Sequence, residues 1–151
     1  GYLMRTVPSA GARHALETYV IVNSVQGLEA GLYRFVAVGH RLARLKAPMD
    51  LGERAVAACF GQSFVATASA TFVWVAIPHR MTWRYPERGY RYLHLDAGHA
   101  CQNLYLAAEA IGGGVCAIAA FDDDAMATLL DLDPEEQFVI YLATVGKKLV
   151  R

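Results

Sequence analysis

The run Tyr92 to Asp124, YLHLDAGHACQNLYLAAEAIGGGVCAIAAFDDD, constrains the chain most, because it joins a long helix-forming segment to a glycine triplet and a small-residue apolar run. From Asp96 to Ile111 there is no proline, and beyond Gly98 no breaker; Ala, Leu and Gln enter a helix at little entropic cost. One helix is expected there. Its apolar positions, among them Ala97, Cys101, Leu104, Tyr105, Ala108 and Ile111, cover more than the stripe of a surface helix, so the helix should be buried and closely approached. Gly112, Gly113 and Gly114 should end it, and Val115 to Phe121 is short enough for a buried extended segment. Such a unit leaves backbone amides open to a flat ligand.

With 151 residues the chain has the length of one domain. Its 14 basic and 14 acidic residues balance, so no overall field favours nucleic acid or an anionic membrane. The apolar fraction of 55% against 19% charged residues implies a large core or a subunit interface, while no run approaches the ~18 apolar residues of a membrane span. Cys59, Cys101 and Cys116 lack metal-type spacing and sit in apolar sequence, which reads as buried thiols in a reducing cytoplasm. The opening residues Gly1 to Arg5 carry no signal-peptide pattern and no element of their own before Pro8, which suggests that a segment precedes them.

Along the chain, Leu16 to Val22 is β-branched and aromatic, as strands are, and a turn at Gln26 to Gly31 should pair it with Leu32 to Val38. Arg41 to Leu45 extends the meander. Asp50 with Glu53 has capping-box spacing for a helix from Leu51 to about Phe60, and a short helical piece is expected within Gln62 to Ser69. Thr71 to Ile77 is apolar on both faces and should be a central strand. His79 to Arg91 reads as a charged and aromatic loop. Asp122, Asp123 and Asp124 complement a helix dipole ahead of Ala125 to Leu130, and Gln137 to Gly146 is the last strand. Mixed elements without strict βαβ alternation predict a single α+β domain with a mainly antiparallel sheet flanked by helices.

The five histidines show no triad pattern with Ser9, and His94 and His99 imply no third metal ligand. The glycine triplet ends a helix, whereas a dinucleotide fingerprint opens one.

The segments RTVPSAGARHALETYV (Arg5 to Val20), GLYRF (Gly31 to Phe35), GQSFVATA (Gly61 to Ala68), Tyr85 to Asp123 and FVIYLATVGK (Phe138 to Lys147) together resemble the nitroreductase-like FMN flavoproteins. Within that family the resemblance is to the branch related to the SagB-type azoline dehydrogenases of thiazole and oxazole peptides.

The resemblance implies an interlocked homodimer with two FMN molecules at its interface. It implies that Pro8, Ser9, Ala10 and Gly11, with Arg13, lie against the flavin ring from the second subunit, and that Ala117, Ile118, Ala119 and Ala120 present amides to its N5 and O4 edge. Lys147, Lys148 and Arg151 become candidates for its phosphate, and Gln62 and Ser63 for ring or ribityl contacts. The implied activity is ping-pong transfer from NAD(P)H to a small conjugated acceptor such as a nitroaromatic or quinone. Oxidation of an azoline peptide and a non-catalytic flavin-binding or scaffold role remain open. The family's N-terminal arginine-rich segment has no counterpart before Gly1, and Gly113 stands where relatives commonly have leucine. Arg84 and Tyr85 match a lysine-tyrosine proton-transfer pair, but arginine does not release its proton at ordinary pH.

Overall fold

A computed structural model describes residues 5–148. Three meander strands open the fold: β1 (Leu16–Val22), β2 (Gly31–Val36) and β3 (Arg41–Arg44). Helices α1 (Leu51–Ala58) and α2 (Phe64–Thr67) precede β4 (Ala70–Ala76). Helices α3 (Pro78–Thr82) and α4 (Arg88–Ala110) lead to β5 (Gly113–Ile118), α5 (Asp123–Leu129) and β6 (Phe138–Lys147). The strands form one antiparallel sheet in the order β3-β2-β1-β4-β6-β5, so the apolar β4 is interior, as expected.

The two faces of the sheet carry different helices. Tyr19, Ile21, Val73, Val75, Val139 and Leu142 point to one side, where α1, α2 and α5 supply Ala55, Val65 and Met126. Trp74 and Ala143 point to the other, onto Cys101 of α4. On β6, Val139 and Leu142 face the same side although three residues apart. A register shift beside Trp74 and Val75 makes this possible, since one extra residue in a strand restores facing across a bulge.

Helix α4 has 23 residues and starts eight positions before the Asp96 expected from sequence. The segment with Gly89 and two arginines, Arg88 and Arg91, reads locally as a loop, but tertiary contact holds it helical. A Cβ on Gly89 would lie 3.1 Å from Thr82 Cγ2 and 3.3 Å from the Thr82 Cα, so the absence of a side chain lets α4 start directly against α3. His79–Thr82, also expected to be loop, is in α3. The helix is not buried all round within one chain: Leu93, Asp96, Ala97, Cys101 and Ala108 are covered, while Leu95, Leu106 and Ile111 on other faces are exposed.

Further expectations change in detail. Asp50 makes no side-chain cap and instead accepts from Arg54 Nε at 2.9 Å, whereas Asp122 does cap α5, accepting from the Ala125 amide at 2.8 Å. The β5 strand ends at Ile118, short of Phe121, and begins at Gly113, so the turn after α4 is carried by Gly112 at φ +75°. Cys59 and Cys101 are buried, but Cys116 is exposed because β5 is an edge strand. No helix of the described residues is long and apolar enough to cross a membrane.

Leu142 is fully buried between the sheet and its helices, while Leu42 lies on the edge strand β3 and is partly exposed. Leu142→Ala should cost about 2–5 kcal/mol in urea unfolding, against less than ~1 kcal/mol for Leu42→Ala.

Candidate functional site

The Pro8–Gly11 segment runs into a 3-10 turn over Ala10–Ala12 and is fastened from behind. Ser9 Oγ accepts from the His14 amide at 2.9 Å, and the Ala10 amide donates to both oxygens of Asp96 at 3.2 and 3.3 Å. Asp96 lies on α4, 5% exposed, so one hydrogen-bonded carboxylate ties the turn to the long helix. Burial and the Arg5 charge hold the His14 pKa below its ordinary value, against an opposing pull from Asp96. Pro8 and Gly11 face outward with small side chains.

Tyr85 closes this end of the site. Gly11 adopts φ +58°, and a Cβ there would sit 2.6 Å from Tyr85 Oη, so Gly11 is required twice over, by conformation and by contact. Tyr85 Oη accepts from Arg84 Nε at 3.2 Å, and its ring meets Tyr92 edge to face at 5.1 Å. Arg13 donates through Nε to the Gly11 carbonyl at 2.9 Å and lies over the Trp83 ring, 5.0 Å from its centroid. The structure therefore brings together residues that the sequence leaves apart: Pro8–Gly11, Arg13, Arg84 and Tyr85.

Ala117 to Ala120 forms a second group. Ile118 is in the core, so its side chain is withdrawn from any ligand; Ala119 and Ala120 are exposed beyond the end of β5. Gln62 Nε2 donates to the carbonyls of Cys59 at 2.9 Å and Ala120 at 3.0 Å, which uses both its protons to hold the loop against α1. The Asp122 amide donates to Ala58 on the same side. Among the described residues, the amides of Ala119 and Ala120 donate to no protein acceptor. The Ala117 amide is taken by Tyr105 Oη at 3.1 Å. Asp96 and Tyr105 are the positioning residues that sequence reasoning missed, since nothing local in a helical run signals partners 86 and 12 positions away.

The lysines are elsewhere. Lys147 pairs with Gly113 and Ile118 with Leu142, so Lys147 and the alanine loop lie at opposite ends of the β5–β6 ladder, separated by roughly 16 Å of strand. Lys148 is ion-paired with Glu109 at the end of α4. Lys147 borders an open cleft of about 760 Å³ shared with Ser24, Ser69, Cys116 and Thr144. Ser63 is exposed before α2, and Arg151 lies outside the described residues.

Across residues 3–147 the chain matches the nitroreductase family model. The chain belongs to the nitroreductase family. It is 35% identical over 145 residues to a Methanocaldococcus jannaschii protein provisionally named a nitroreductase, covering 96% of this chain and 71% of that one. It is 32% identical over 145 residues to the trifolitoxin-processing protein TfxB of Rhizobium leguminosarum bv. trifolii, covering 88% of this chain but 37% of the relative. A crystal structure of a provisionally assigned Anabaena variabilis nitroreductase superposes with a TM-score of 0.87 at 29% identity, over 94% of this chain and 29% of that one. The Escherichia coli microcin synthetase complex has the same fold, with a TM-score of 0.86 at 21% identity over 99% of this chain and 58% of that one. The family assignment agrees with the fold expected from sequence.

Gly11→Ala should lower stability by about 1–3 kcal/mol, and adding Tyr85→Phe should recover part of it, because the hydroxyl is the nearest obstruction; a thermal-melt double-mutant cycle reads this. Burial pushes the Cys59 thiol up to about 11 and raises that of Cys101, so both stay protonated at pH 8 while Cys116 is accessible. Ellman's reagent should accordingly titrate a single thiol in the native protein, and none after Cys116→Ser.

Proposed function

We propose that this member of the nitroreductase family is an FMN-dependent oxidoreductase, taking hydride from NAD(P)H and passing electrons to a small conjugated acceptor by a ping-pong mechanism. The observation that supports it most is the pair of exposed, unpaired amides at Ala119 and Ala120, held in place by Gln62. The family's flavin fits this donor set: fixed amides stabilise negative charge that develops on a ring edge without reorganising. When bound, FMN supplies the hydride-accepting centre. The chain's own residues bind, orient and exclude water. Ala119 and Ala120 donate to the ring edge, and Pro8–Gly11 offers a small-residue surface for a ring face.

Within one chain these two groups are held by different elements, the turn by α4 and the loop by α1. A two-fold dimer would bring the turn of one copy to the loop of the other. The exposed apolar residues of α4, including Leu95 and Leu106, are what such an interface would cover. Lys147 and Lys148, at the far end of β5, are then candidates for the phosphate only if the flavin runs along that strand.

A second reading, oxidation of an azoline ring in a modified peptide, draws support from the similarity to the trifolitoxin-processing protein. In that reading Tyr85 is a proton donor and Arg84, fixed on its hydroxyl at 3.2 Å, holds the phenol in position and does not act as a base.

Purified protein should be yellow, and anaerobic NADH or NADPH should bleach it. A yellow protein that neither nucleotide bleaches would leave the flavin-binding or scaffold role, and a colourless one that takes up no added FMN would remove the flavin site.

A further inference from the structure

Two arginines flank the Pro8–Gly11 turn, and each spends a single N–H group of its guanidinium within the chain. Arg13 donates through Nε to the Gly11 carbonyl at 2.9 Å and lies over the Trp83 ring, 5.0 Å from its centroid. Arg84 donates through Nε to Tyr85 Oη at 3.2 Å, and that hydroxyl is the atom a Cβ on Gly11 would meet at 2.6 Å. Both guanidinium groups are therefore fastened to the surroundings of one exposed glycine. Their terminal nitrogens find no acceptor, and neither arginine forms an ion pair, among the described residues. The acids nearby do not answer them. Asp96 lies behind the turn, 5% exposed and bonded to the Ala10 amide, and Glu87 pairs with neither arginine.

Anchoring through Nε fixes the plane of a guanidinium and leaves its terminal nitrogens as a preset fork. The fold uses only the anchored N–H, so the charge and the outer donors remain for something outside the chain. A fork of this kind matches the two oxygens of a carboxylate, and ordering it beforehand spares the side-chain entropy that binding would otherwise cost. Two such forks with no counter-ion attract an anion. The setting favours a flat one, because Gly11 has no side chain to obstruct a ring and Trp83 is 58% exposed.

We infer that Arg13 and Arg84 select the electron acceptor by charge: it is a flat conjugated molecule bearing a carboxylate, which the two guanidinium groups hold at the rim of the Pro8–Gly11 turn. The inference rests on the oxidoreductase proposed above and adds the charge class of its acceptor. A neutral nitroaromatic or quinone reaches the same turn without this contact and binds more weakly.

The test is a calorimetric titration with para-nitrobenzoate and its neutral isostere para-nitrobenzamide, which needs neither turnover nor bound flavin. The carboxylate should bind about tenfold more tightly or better, and the difference should shrink as salt rises. Arg13→Gln/Arg84→Gln should bring the two ligands to equal affinity. Arg13→Lys/Arg84→Lys, which keeps the charge and loses the fork, should fall between. Lys46→Gln, on the exposed loop after β3, should behave as the parent. The carboxylate should also change Trp83 emission, because Arg13 lies on that ring, and the change should vanish in Trp83→Phe. Equal affinity of the parent for the two ligands would overturn the inference, as would a preference that survives the double glutamine substitution or disappears in Lys46→Gln. Displacement of para-nitrobenzoate by inorganic phosphate at lower concentration would overturn it too, and would assign the arginines to a phosphate. A carboxylate preference in a protein that takes up no FMN would leave the arginine pair standing and remove the flavin reading. A yellow, bleachable protein that binds both ligands equally would do the reverse.

Discussion

Asp96 sits on α4 with its carboxylate turned away from water, and the amide of Ala10 is its hydrogen-bond partner. A carboxylate left unsatisfied there would cost several kcal/mol, so the turn and the helix are locked to each other by the need to satisfy that group. The consequences run outward from this contact. The turn presents Gly11 to Tyr85, Tyr85 meets Tyr92 on α4, and Arg13 is carried onto Trp83. Placement of the whole basic and aromatic end of the molecule depends on α4 lying flat on β4 and β6, which its small buried residues Ala97, Cys101 and Ala108 allow.

The other half of the candidate site is held by different means. The alanine loop leaves the edge strand β5 and is pinned to α1 by Gln62 and by the Ala58 carbonyl. These contacts come from the opposite face of the sheet from α4. Two groups anchored on opposite faces of one sheet are not directed at a common point within a single chain, and this is the structural argument for the paired assembly proposed above. It also explains the exposed apolar face of α4. A helix whose composition predicts burial all round, yet which is covered on one side only, has surface suited to a second copy.

What was legible in the sequence follows from how local each signal is. The strand Leu16–Val22 was readable to the residue, because its run of β-branched and aromatic side chains ends at the turn-forming pair Asn23-Ser24. The interior place of β4 was readable from apolarity on both faces, and the start of α5 from three acids ahead of a helical run, though not the side-chain cap that Asp122 makes there. The start of α4 was not. Gly89 and the clustered arginines argue against a helix locally, and only packing on Thr82 reverses that. Cys116 and Ile118 illustrate the same limit: residues two apart in one apolar run differ in exposure because β5 is an edge strand, a fact of topology that composition does not carry. Within the site, glycine and alanine marked where a ligand can approach, whereas Asp96, Tyr105 and Gln62, which hold those segments in place, act over sequence separations with no periodic trace.

A balanced net charge describes the chain as a whole and not the field at any one place on it. The arginines gather around the start of α4, while acids gather at Asp122–Asp124 and at Glu135 and Glu136. At physiological salt an exposed charge is screened beyond about 8 Å, so separated clusters do not cancel at the surface of either. The local field near the Pro8–Gly11 turn therefore combines the Asp96 carboxylate with Arg13 and Arg84, which form no ion pair among the described residues. Excluding nucleic acid by overall neutrality does not exclude a small phosphorylated ligand, because a long polyanion experiences the whole surface and a nucleotide only the few side chains it touches.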